Sequence, residues 1–335
     1  MGAHGTLAPG EWVCTDQNAA ELLLMGERGT STITNLGKSF VGESGKGTLY
    51  LRSGAIGDLL LLSPALKAMR QEFPNAHLSL CCFPKHFEVV ADLDIDLIQY
   101  PLPHELAGRY GHILSLEDTM EVDHTQHATD IFAKEIGVKV QDYQPVYAVS
   151  ELEHAWALSE KPRGTRRRVG IQPAASVANR DYPLPHWLTV IERLIYRENC
   201  EVLLFGREGQ IPPLRLSGPV YNLSEKEYTF RQSAALLATC DVFCGVDSSL
   251  LHLCHALGKP AVGLFAAFDW KTRTAKAPLT WALTGIGDCA PCSWHKHAGH
   301  AFPPDKPCAR LRNCHVLASI EPDRIVSKIL SLPCK

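Results

Sequence analysis

The sequence has no long apolar run and no strong excess of charge of either sign. No stretch approaches the roughly 18–20 apolar residues that a membrane-spanning helix requires. Residues 1–6 lack the charged and apolar regions of a signal peptide. The formal net charge of −3 argues against binding to nucleic acid or to an anionic membrane through overall charge. These absences predict a cytoplasmic protein with no transmembrane segment and no strong nucleic-acid signal.

The sequence also has too few cysteines for a disulfide-rich scaffold, and it contains no short-period repeats or low-complexity tracts. Twelve cysteines among 335 residues are too sparse for a small secreted disulfide scaffold. An apolar content of 45% and a charged content of 21% are typical of a soluble globular protein. The length suffices for two ordinary domains. Most cysteines are therefore expected to be buried packing residues or metal ligands.

The stretch from residue 240 to residue 265 is the clearest local pattern. Val242–Cys244 is a short apolar run, as in a strand buried on both faces of a parallel sheet. Asp247, Ser248 and Ser249 are helix-capping residue types, and Gly258 followed by a proline ends the helix. A helix N-terminus at the carboxyl end of a buried strand holds phosphate well. The alternative is that Asp247 and Ser248 only cap the helix.

Two runs of alternating strands and helices predict an α/β protein with two parallel sheets. A basic stretch rich in proline and glycine, residues 161–168, separates the two runs. It is interpreted as the domain boundary, and either as a solvated linker or as a basic edge that faces an anionic substrate. The predicted organisation is an N-terminal extension (1–47), a first domain (48–160), a second domain (161–318) and a C-terminal helix that returns to the first domain (319–335).

Three motifs resemble those of the bacterial heptosyltransferases, glycosyltransferase family 9. The first is Leu-Arg-Ser-Gly-Ala-Ile-Gly-Asp at 51–58, followed by an apolar helix. The second is Gly-Val-Asp-Ser-Ser-Leu-Leu-His at 245–252 with Ala-Leu-Gly-Lys-Pro at 256–260. The third is Gly-Ile-Gln-Pro-Ala-Ala-Ser at 170–176, at the start of the second domain. The resemblance extends over residues 48–332.

The resemblance implies a GT-B architecture, in which two Rossmann-like domains face a cleft. It implies an inverting transfer, without a catalytic metal, of a sugar from a nucleotide-sugar donor, namely heptose from ADP-heptose. The acceptor would be a hydroxyl group on a protein or on the lipopolysaccharide core. Asp58 matches the catalytic base. The residues assigned to the donor are Arg180, Asp247, Ser248, Ser249, His252, Gly54 and Gly57.

The motifs also depart from the family pattern. Gln172-Pro173-Ala174 stands where the family has His-Pro-Gly, and Ser249 stands where it has glycine. These changes leave the donor sugar and the nucleotide open. Taken alone, Asp58 is also typical of a first-turn acid, Arg180 of a surface arginine and His252 of a packed core histidine. No Asp-x-Asp metal motif occurs in the expected loop, and Asp94-Ile95-Asp96 is interpreted as a turn and strand start.

A second cluster lies near the C-terminus. Cys289, Cys292, Cys308 and Cys314 have the spacing of a four-thiolate site for a structural metal, a finger over 289–314. His295, His297 and His300 lie within the loop and could replace one ligand. Zinc is the usual metal for such a site, and iron is implied by resemblance to the autotransporter heptosyltransferase branch. The alternative is loose or disulfide-paired cysteines.

Two other functions stay open at this stage. One is a transferase of the same architecture that uses another donor or acceptor, including modified DNA. The other is a non-catalytic binding or assembly protein that uses the metal finger as a contact surface. A homo-oligomer is compatible with each of these functions.

Overall fold

The computed structural model describes residues 47–107, 109–120, 123–176, 180–214, 216–292 and 314–333. The chain divides into two compact units between Val146 and Tyr147. Each unit contains one parallel sheet, as the two runs of alternating strands and helices predicted. Residues 1–46 of the predicted extension 1–47 lie outside the described residues, as do Cys308 of the predicted metal finger and His295, His297 and His300.

The first unit has a four-stranded sheet in the order β3-β2-β1-β4, with every pair parallel. Its strands are β1 (Gly47–Leu51), β2 (Leu78–Cys82), β3 (Asp96–Gln99) and β4 (Tyr110–Ser115). Its helices are α1 (Ile56–Glu72), α2 (Phe87–Val90), α3 (His104–Ala107) and α4 (Ala128–Ile136). Every residue of β1 and β2 is buried, which explains why both sequences are mainly apolar and lack a regular polar alternation.

The second unit has a six-stranded parallel sheet in the order β10-β9-β8-β5-β6-β7. Its strands are β5 (Arg168–Gln172), β6 (Glu201–Leu204), β7 (Val220–Asn222), β8 (Val242–Val246), β9 (Ala261–Phe265) and β10 (Thr280–Thr284). Its helices are α5 (Glu151–Glu160), α6 (Leu184–Tyr196), α7 (Phe230–Ala238), α8 (Ser249–Ala256), α9 (Lys271–Thr274), α10 (His315–Ala318) and α11 (Pro322–Ser331).

The ends of the second unit differ from the organisation expected from the sequence. Helix α5 packs on α7 of the second unit, with the rings of Trp156 and Tyr228 6.2 Å apart, although the sequence boundary assigned α5 to the first domain. Helix α11 buries Ile325 and Ile329 in the core of the second unit and packs on α6, whereas a return to the first domain was expected. Its apolar face meets the core of its own unit.

In the described residues, no helix has both the length and the apolar character needed to span a membrane.

Three of the four arginines in the basic stretch 161–168 are bonded into the second unit, although residues 162–166 are exposed. Arg168 is fully buried and donates from Nε to Glu201 and from Nη1 to the Thr239 hydroxyl, each at 2.8 Å. Arg163 donates to the Thr239 carbonyl at 2.7 Å. The carboxylate of Asp241 accepts from the Arg168 backbone N–H at 2.8 Å. These bonds attach the start of β5 to β6 and β8.

Replacing Glu201 with Gln should lower the free energy of unfolding of the second unit by about 3–5 kcal/mol, because the Arg168 charge would stay buried without its counter-charge. Chemical denaturation followed by tryptophan fluorescence suits the measurement, since the described tryptophans, at 156, 187, 270 and 281, belong to this unit. The matched control is Lys226→Gln, which removes a 56% exposed partner of Glu160 and should leave the midpoint nearly unchanged. An equal response of both variants would contradict the prediction.

Candidate functional site

The carboxyl end of β8 leads directly into helix α8 through Asp247 and Ser248. Ser248 is the N-cap residue of α8, but its side chain does not bond the helix amides. The Ser248 hydroxyl donates instead to the side-chain oxygen of Gln172, at the end of β5. The structure therefore disagrees with the interpretation that Ser248 only caps the helix. Its side chain leaves the positive end of the α8 dipole to another acceptor.

The strand order places this helix start at a crevice position in the sheet. From β5, the chain continues outward through β6 and β7 on one side and resumes at β8 on the other. Gln172 and Gly245 are register partners at the carboxyl ends of these two strands. In open α/β sheets, ligands bind outside the carboxyl ends where the strand order reverses. The segments 173–176 and 247–249 leave the sheet at this point.

Arg180 and Asp247 stand together at this edge. The Arg180 Nη1 group donates to the Asp247 backbone carbonyl at 3.0 Å and lies 3.7 Å from Oδ2 of its carboxylate. Arg180 also donates to the Ser176 hydroxyl at 3.2 Å and keeps 16% of its side chain exposed. The sequence alternative of an isolated surface arginine is thus not what the structure has. A guanidinium held at a helix N-terminus is suited to a diphosphate.

Asp247 and His252 are both buried, with side-chain exposures of 7% and 6%. His252 Nε2 lies 3.8 Å from Asp247 Oδ1. Oδ2 of Asp247 is buried and accepts no hydrogen bond from the residues that the structure describes. A buried carboxylate oxygen without a donor is costly, so this position calls for a further polar partner. Ser249, the first residue of α8, is half-buried beside it.

Asp58 lies at the corresponding edge of the first unit. The chain leaves β1 at Arg52, and Asp58 is the third residue of α1. Oδ2 of Asp58 accepts from Arg52 Nη2 at 2.8 Å and from the Ala55 backbone N–H at 3.3 Å. Asp58 keeps 22% of its side chain exposed, whereas Arg52 is 2% exposed. The carboxylate is therefore an N-terminal helix acid that also reaches the surface.

Two residues of this edge were not found by sequence reasoning. Glu117, which follows β4, accepts the Ser53 backbone N–H. His86 is 8% exposed. Burial, followed by the nearby Lys85 ammonium, lowers the pKa of His86, while hydrogen bonding to the Ser53 backbone and the Asp58 charge act in the opposite direction. A general signal existed for Glu117, because a polar residue two positions after a parallel strand lies near the ligand-binding edge.

Gly54 and Gly57 lie in the first unit, in or beside the turn that carries Asp58. A Cβ atom on Gly54 would come within 2.6 Å of Arg52 Nε and 3.2 Å of Asp58 Oδ2. Gly54 thus permits the close approach of the turn to the ion pair. The donor-binding role expected for both glycines stays a prediction.

The described cysteines of the C-terminal cluster approach one another. Burial raises the pKa of the Cys314 thiol, and Cys292 and Cys289 lie near enough to raise it further. Cys289 Sγ is 3.7 Å from His315 Nε2. The buried Nδ1 of His315 has no hydrogen-bond partner within the described ranges. Soft thiol donors beside an imidazole suit zinc or iron.

The described residues alone do not complete a metal site. Within them, no group of three or more His, Cys, Asp or Glu side chains stands close enough to hold a metal ion. The fourth cysteine of the motif, Cys308, lies in the segment 293–313, outside the described residues. The nine cysteines that the structure describes carry free thiols, so no disulfide joins Cys289, Cys292 or Cys314 to another of them.

A separate open cavity of about 450 Å³ lies elsewhere on the second unit. It is lined by the start of α5, the end of α7 and the segment after α8, including His154, Leu158, Ala238 and Lys259. It contains none of the candidate residues, and Leu257 places it at the end of α8 opposite Ser248.

Two α/β units, each with one parallel sheet and polar residues where the strand order reverses, give the chain the GT-B fold that solved heptosyltransferases share. The chain belongs to glycosyltransferase family 9 (heptosyltransferase), whose sequence model matches residues 114–302, more than half of the chain. The matched range contains Arg180 and the segment 247–252, but not Asp58. A comparison with curated proteins found no match.

Solved structures with the same fold include three bacterial transferases. E. coli ADP-heptose lipopolysaccharide heptosyltransferase II is 16% identical, with a TM-score of 0.62 over 85% of this chain and 98% of that chain. The iron-containing dodecameric glycosyltransferase TibC from enterotoxigenic E. coli H10407 is 15% identical, with a TM-score of 0.66 over 85% and 75%. A family 9 transferase from Veillonella parvula is 14% identical, with a TM-score of 0.61 over 84% and 95%.

Proposed function

We propose that this glycosyltransferase moves a heptose from ADP-heptose to an acceptor hydroxyl with inversion at the anomeric carbon. In one displacement, the acceptor oxygen forms a bond to that carbon as the carbon–oxygen bond to the diphosphate breaks. The hydroxyl proton passes to Asp58, and ADP leaves. TibC has been solved with ADP-D-β-D-heptose and E. coli WaaC with ADP, which supports this choice of donor.

The main support for the proposal is the arrangement of polar groups at the carboxyl edge of the sheet in the second unit. Helix α8 begins there without a hydrogen bond from its N-cap side chain, and Arg180 donates a hydrogen bond to the Asp247 backbone carbonyl. A leaving diphosphate gains negative charge as its bond breaks, so fixed donors accelerate its departure. The α8 amides, the Ser249 hydroxyl and Arg180 would supply such donors, whereas the Ser248 hydroxyl donates to Gln172. This set can stabilise the diphosphate with no catalytic metal.

The carboxylate of Asp58 supports the base assignment. It lies in the first turn of helix α1, beside the carboxyl edge of the first sheet, and is partly exposed. A hydroxyl group is a weak nucleophile at neutral pH, and a positioned carboxylate that accepts its proton contributes about 10²- to 10⁴-fold to the rate. The acceptor, on a protein or on the lipopolysaccharide core, is left open by this argument.

The cysteine cluster is proposed to hold one structural zinc or iron ion through Cys289, Cys292, Cys308 and Cys314. The metal would cross-link the loop 289–314 to α10, because Cys314 directly precedes that helix. His315 would stand beside the ligands. TibC, which shares this fold, is an iron-containing protein, and iron is therefore as relevant a candidate as zinc.

Nucleotide binding tests the donor site directly. In a thermal-shift panel of ADP, UDP, GDP and CDP, ADP should stabilise the protein selectively, by about 2.7 kcal/mol at a hundred times its Kd. Arg180→Gln should weaken ADP binding by about 10- to 100-fold, since a hydrogen bond to a charged group contributes about 1.5–3 kcal/mol. Asp247→Asn should also weaken it.

The control for this panel is Lys226→Gln, which changes the charge of the second unit in the same direction at an exposed pair. It should bind ADP with unchanged affinity. Stabilisation by a different nucleotide would replace ADP in the proposal. Stabilisation by none would overturn the transferase mechanism and favour the assembly role.

A further inference from the structure

A buried arginine beneath the Asp58 turn has no role in the function so far. Arg52 is 2% exposed, so its charge must be paired and hydrogen-bonded within the protein. Nη1 donates to the Leu116 carbonyl at 2.8 Å, and Nη2 donates to Asp58 Oδ2 at 2.8 Å. The guanidinium carbon lies 5.6 Å from the centroid of the Phe132 ring. Arg52 therefore joins the end of β4, helix α4 and Asp58.

The same contacts orient the Asp58 carboxylate. The Arg52 guanidinium and the Ala55 backbone N–H both donate to Oδ2. Two donors on one oxygen, one of them rigidly held by Leu116, fix the rotation of the carboxylate. A base that must meet one hydroxyl proton benefits from such restriction, because proton transfer depends on geometry first.

The packing leaves little room for another arrangement. The turn approaches the arginine so closely that a Cβ on Gly54 would lie 2.6 Å from Arg52 Nε. Any larger residue at this position would push on the guanidinium or on the turn. The small residue and the buried arginine thus act together on the position of Asp58.

A second buried arginine in the chain shows what a structural pair looks like. The side chains of Arg168 and Glu201 are 0% and 5% exposed, so neither partner reaches solvent. In the first unit the cation is as deeply buried, but its acidic partner is 22% exposed. The Arg52 pair therefore presents its carboxylate to a ligand, whereas the Arg168 pair does not.

We propose that Arg52 is a positioning residue. It holds Asp58 ionised and oriented so that the carboxylate can take the proton from the acceptor hydroxyl. The proposal rests on the proposed role of Asp58 as the base. An adjacent cation favours the charged form of a carboxylate and lowers its pKa. Arg52 thereby extends the activity of Asp58 toward acidic pH and limits the directions in which the carboxylate can point.

The test compares Arg52→Lys, Arg52→Met, Asp58→Asn and the double variant Arg52→Met/Asp58→Asn in the full chain. The assay follows ADP released from ADP-heptose with water as the acceptor, over a range of pH. Arg52→Lys should lower kcat by about tenfold, because Lys keeps the charge but lacks the fork that binds Leu116 and Asp58 together. Arg52→Met should lower kcat by about 100-fold, which corresponds to about 2.7 kcal/mol of transition-state stabilisation.

The pH profile separates positioning from a general loss of structure. Loss of the cation raises the pKa of Asp58, so the acidic limb of the Arg52→Met profile should move to higher pH. In the double variant, the loss should not exceed that of Asp58→Asn alone, because Arg52 acts through Asp58. An unmoved acidic limb, or losses that multiply in the double variant, would overturn the proposal.

Two further measurements keep the test decisive. Should Arg52→Met fail to fold, Gly54→Ala displaces the same guanidinium without removing its charge and should lower kcat. In place of turnover, carboxyl NMR titration of labelled aspartate, with Asp58 assigned through Asp58→Asn, should show a higher pKa of Asp58 in Arg52→Met than in the parent. Equal pKa values would overturn the proposal. Full activity of Asp58→Asn would instead overturn the base assignment itself.

Discussion

Replacing Asp58 with Asn is expected to lower the rate of sugar transfer by about 10²- to 10⁴-fold while leaving ADP binding intact. The amide keeps the size of the side chain and can still accept a bond from Arg52, but it cannot take up the acceptor proton. ADP affinity should persist because the proposed diphosphate contacts belong to the second unit. Initial rates of ADP release from ADP-heptose, together with ADP binding by calorimetry, measure both quantities.

The matched control for this variant is Asp142→Asn. Asp142 belongs to the same unit, is 57% exposed and pairs with Lys67 at 2.9 Å. Its amide variant should retain the parental rate. A parental rate in Asp58→Asn would remove Asp58 from the mechanism, whereas loss of rate together with loss of ADP affinity would point to a misfolded protein.

Removal of the proposed structural metal is the second change with a large expected effect. The protein as purified should contain about one zinc or iron ion per chain, and Cys289→Ser and Cys314→Ser should contain almost none. Structural zinc contributes about 10–16 kcal/mol of apparent binding free energy in small zinc-finger peptides. Prolonged chelation should therefore lower the unfolding temperature of the second unit. Elemental analysis and a thermal scan measure the two effects.

Cys200→Ala provides the control for metal content. Cys200 is a buried thiol at the start of β6, and its sulfur donates to the Glu198 carbonyl rather than meeting the cluster. Its variant should keep the metal of the parent. A metal-free parent, or equal metal content in Cys289→Ser and Cys200→Ala, would leave the four cysteines without this role.

Strands β2, β6, β8 and β9 were predictable because each is a short, mainly apolar run between turn residues, whereas β7 and β10 were not predicted. The runs at 78–82, 201–204 and 261–265 contain no exposed position, so their sequences lack the alternation that would leave other assignments open. Helix α5 was missed as a second-unit element because its attachment depends on long-range contacts. Arg231 of α7, for example, binds Glu153 78 residues earlier. The domain boundary was instead predicted at the stretch 161–168 because of its basic, proline- and glycine-containing composition.

The candidate sites were predictable in residue type but not in their local arrangement. Asp247 and Ser248 have the chemistry of helix caps, and sequence alone could not decide between capping and ligand binding. The choice depends on Gln172, which receives the Ser248 hydroxyl from 76 residues away. Likewise, Arg52 was recognised from the sequence only as a member of the motif at 51–58. Its contact with the Leu116 carbonyl requires the pairing of β1 with β4.

If the donor binds at the uncapped start of α8, as proposed, its binding would be linked to the local stability of the helix. An eight-residue helix is marginal by itself, and here the N-cap side chain bonds elsewhere. A bound diphosphate would complete the first turn, so part of the binding free energy would be spent on suppressing fraying. Amide hydrogens at 249–251 would then exchange more slowly in the presence of donor. The transferase would thus be most ordered at its leaving-group site when the nucleotide is bound, and would loosen there as ADP departs.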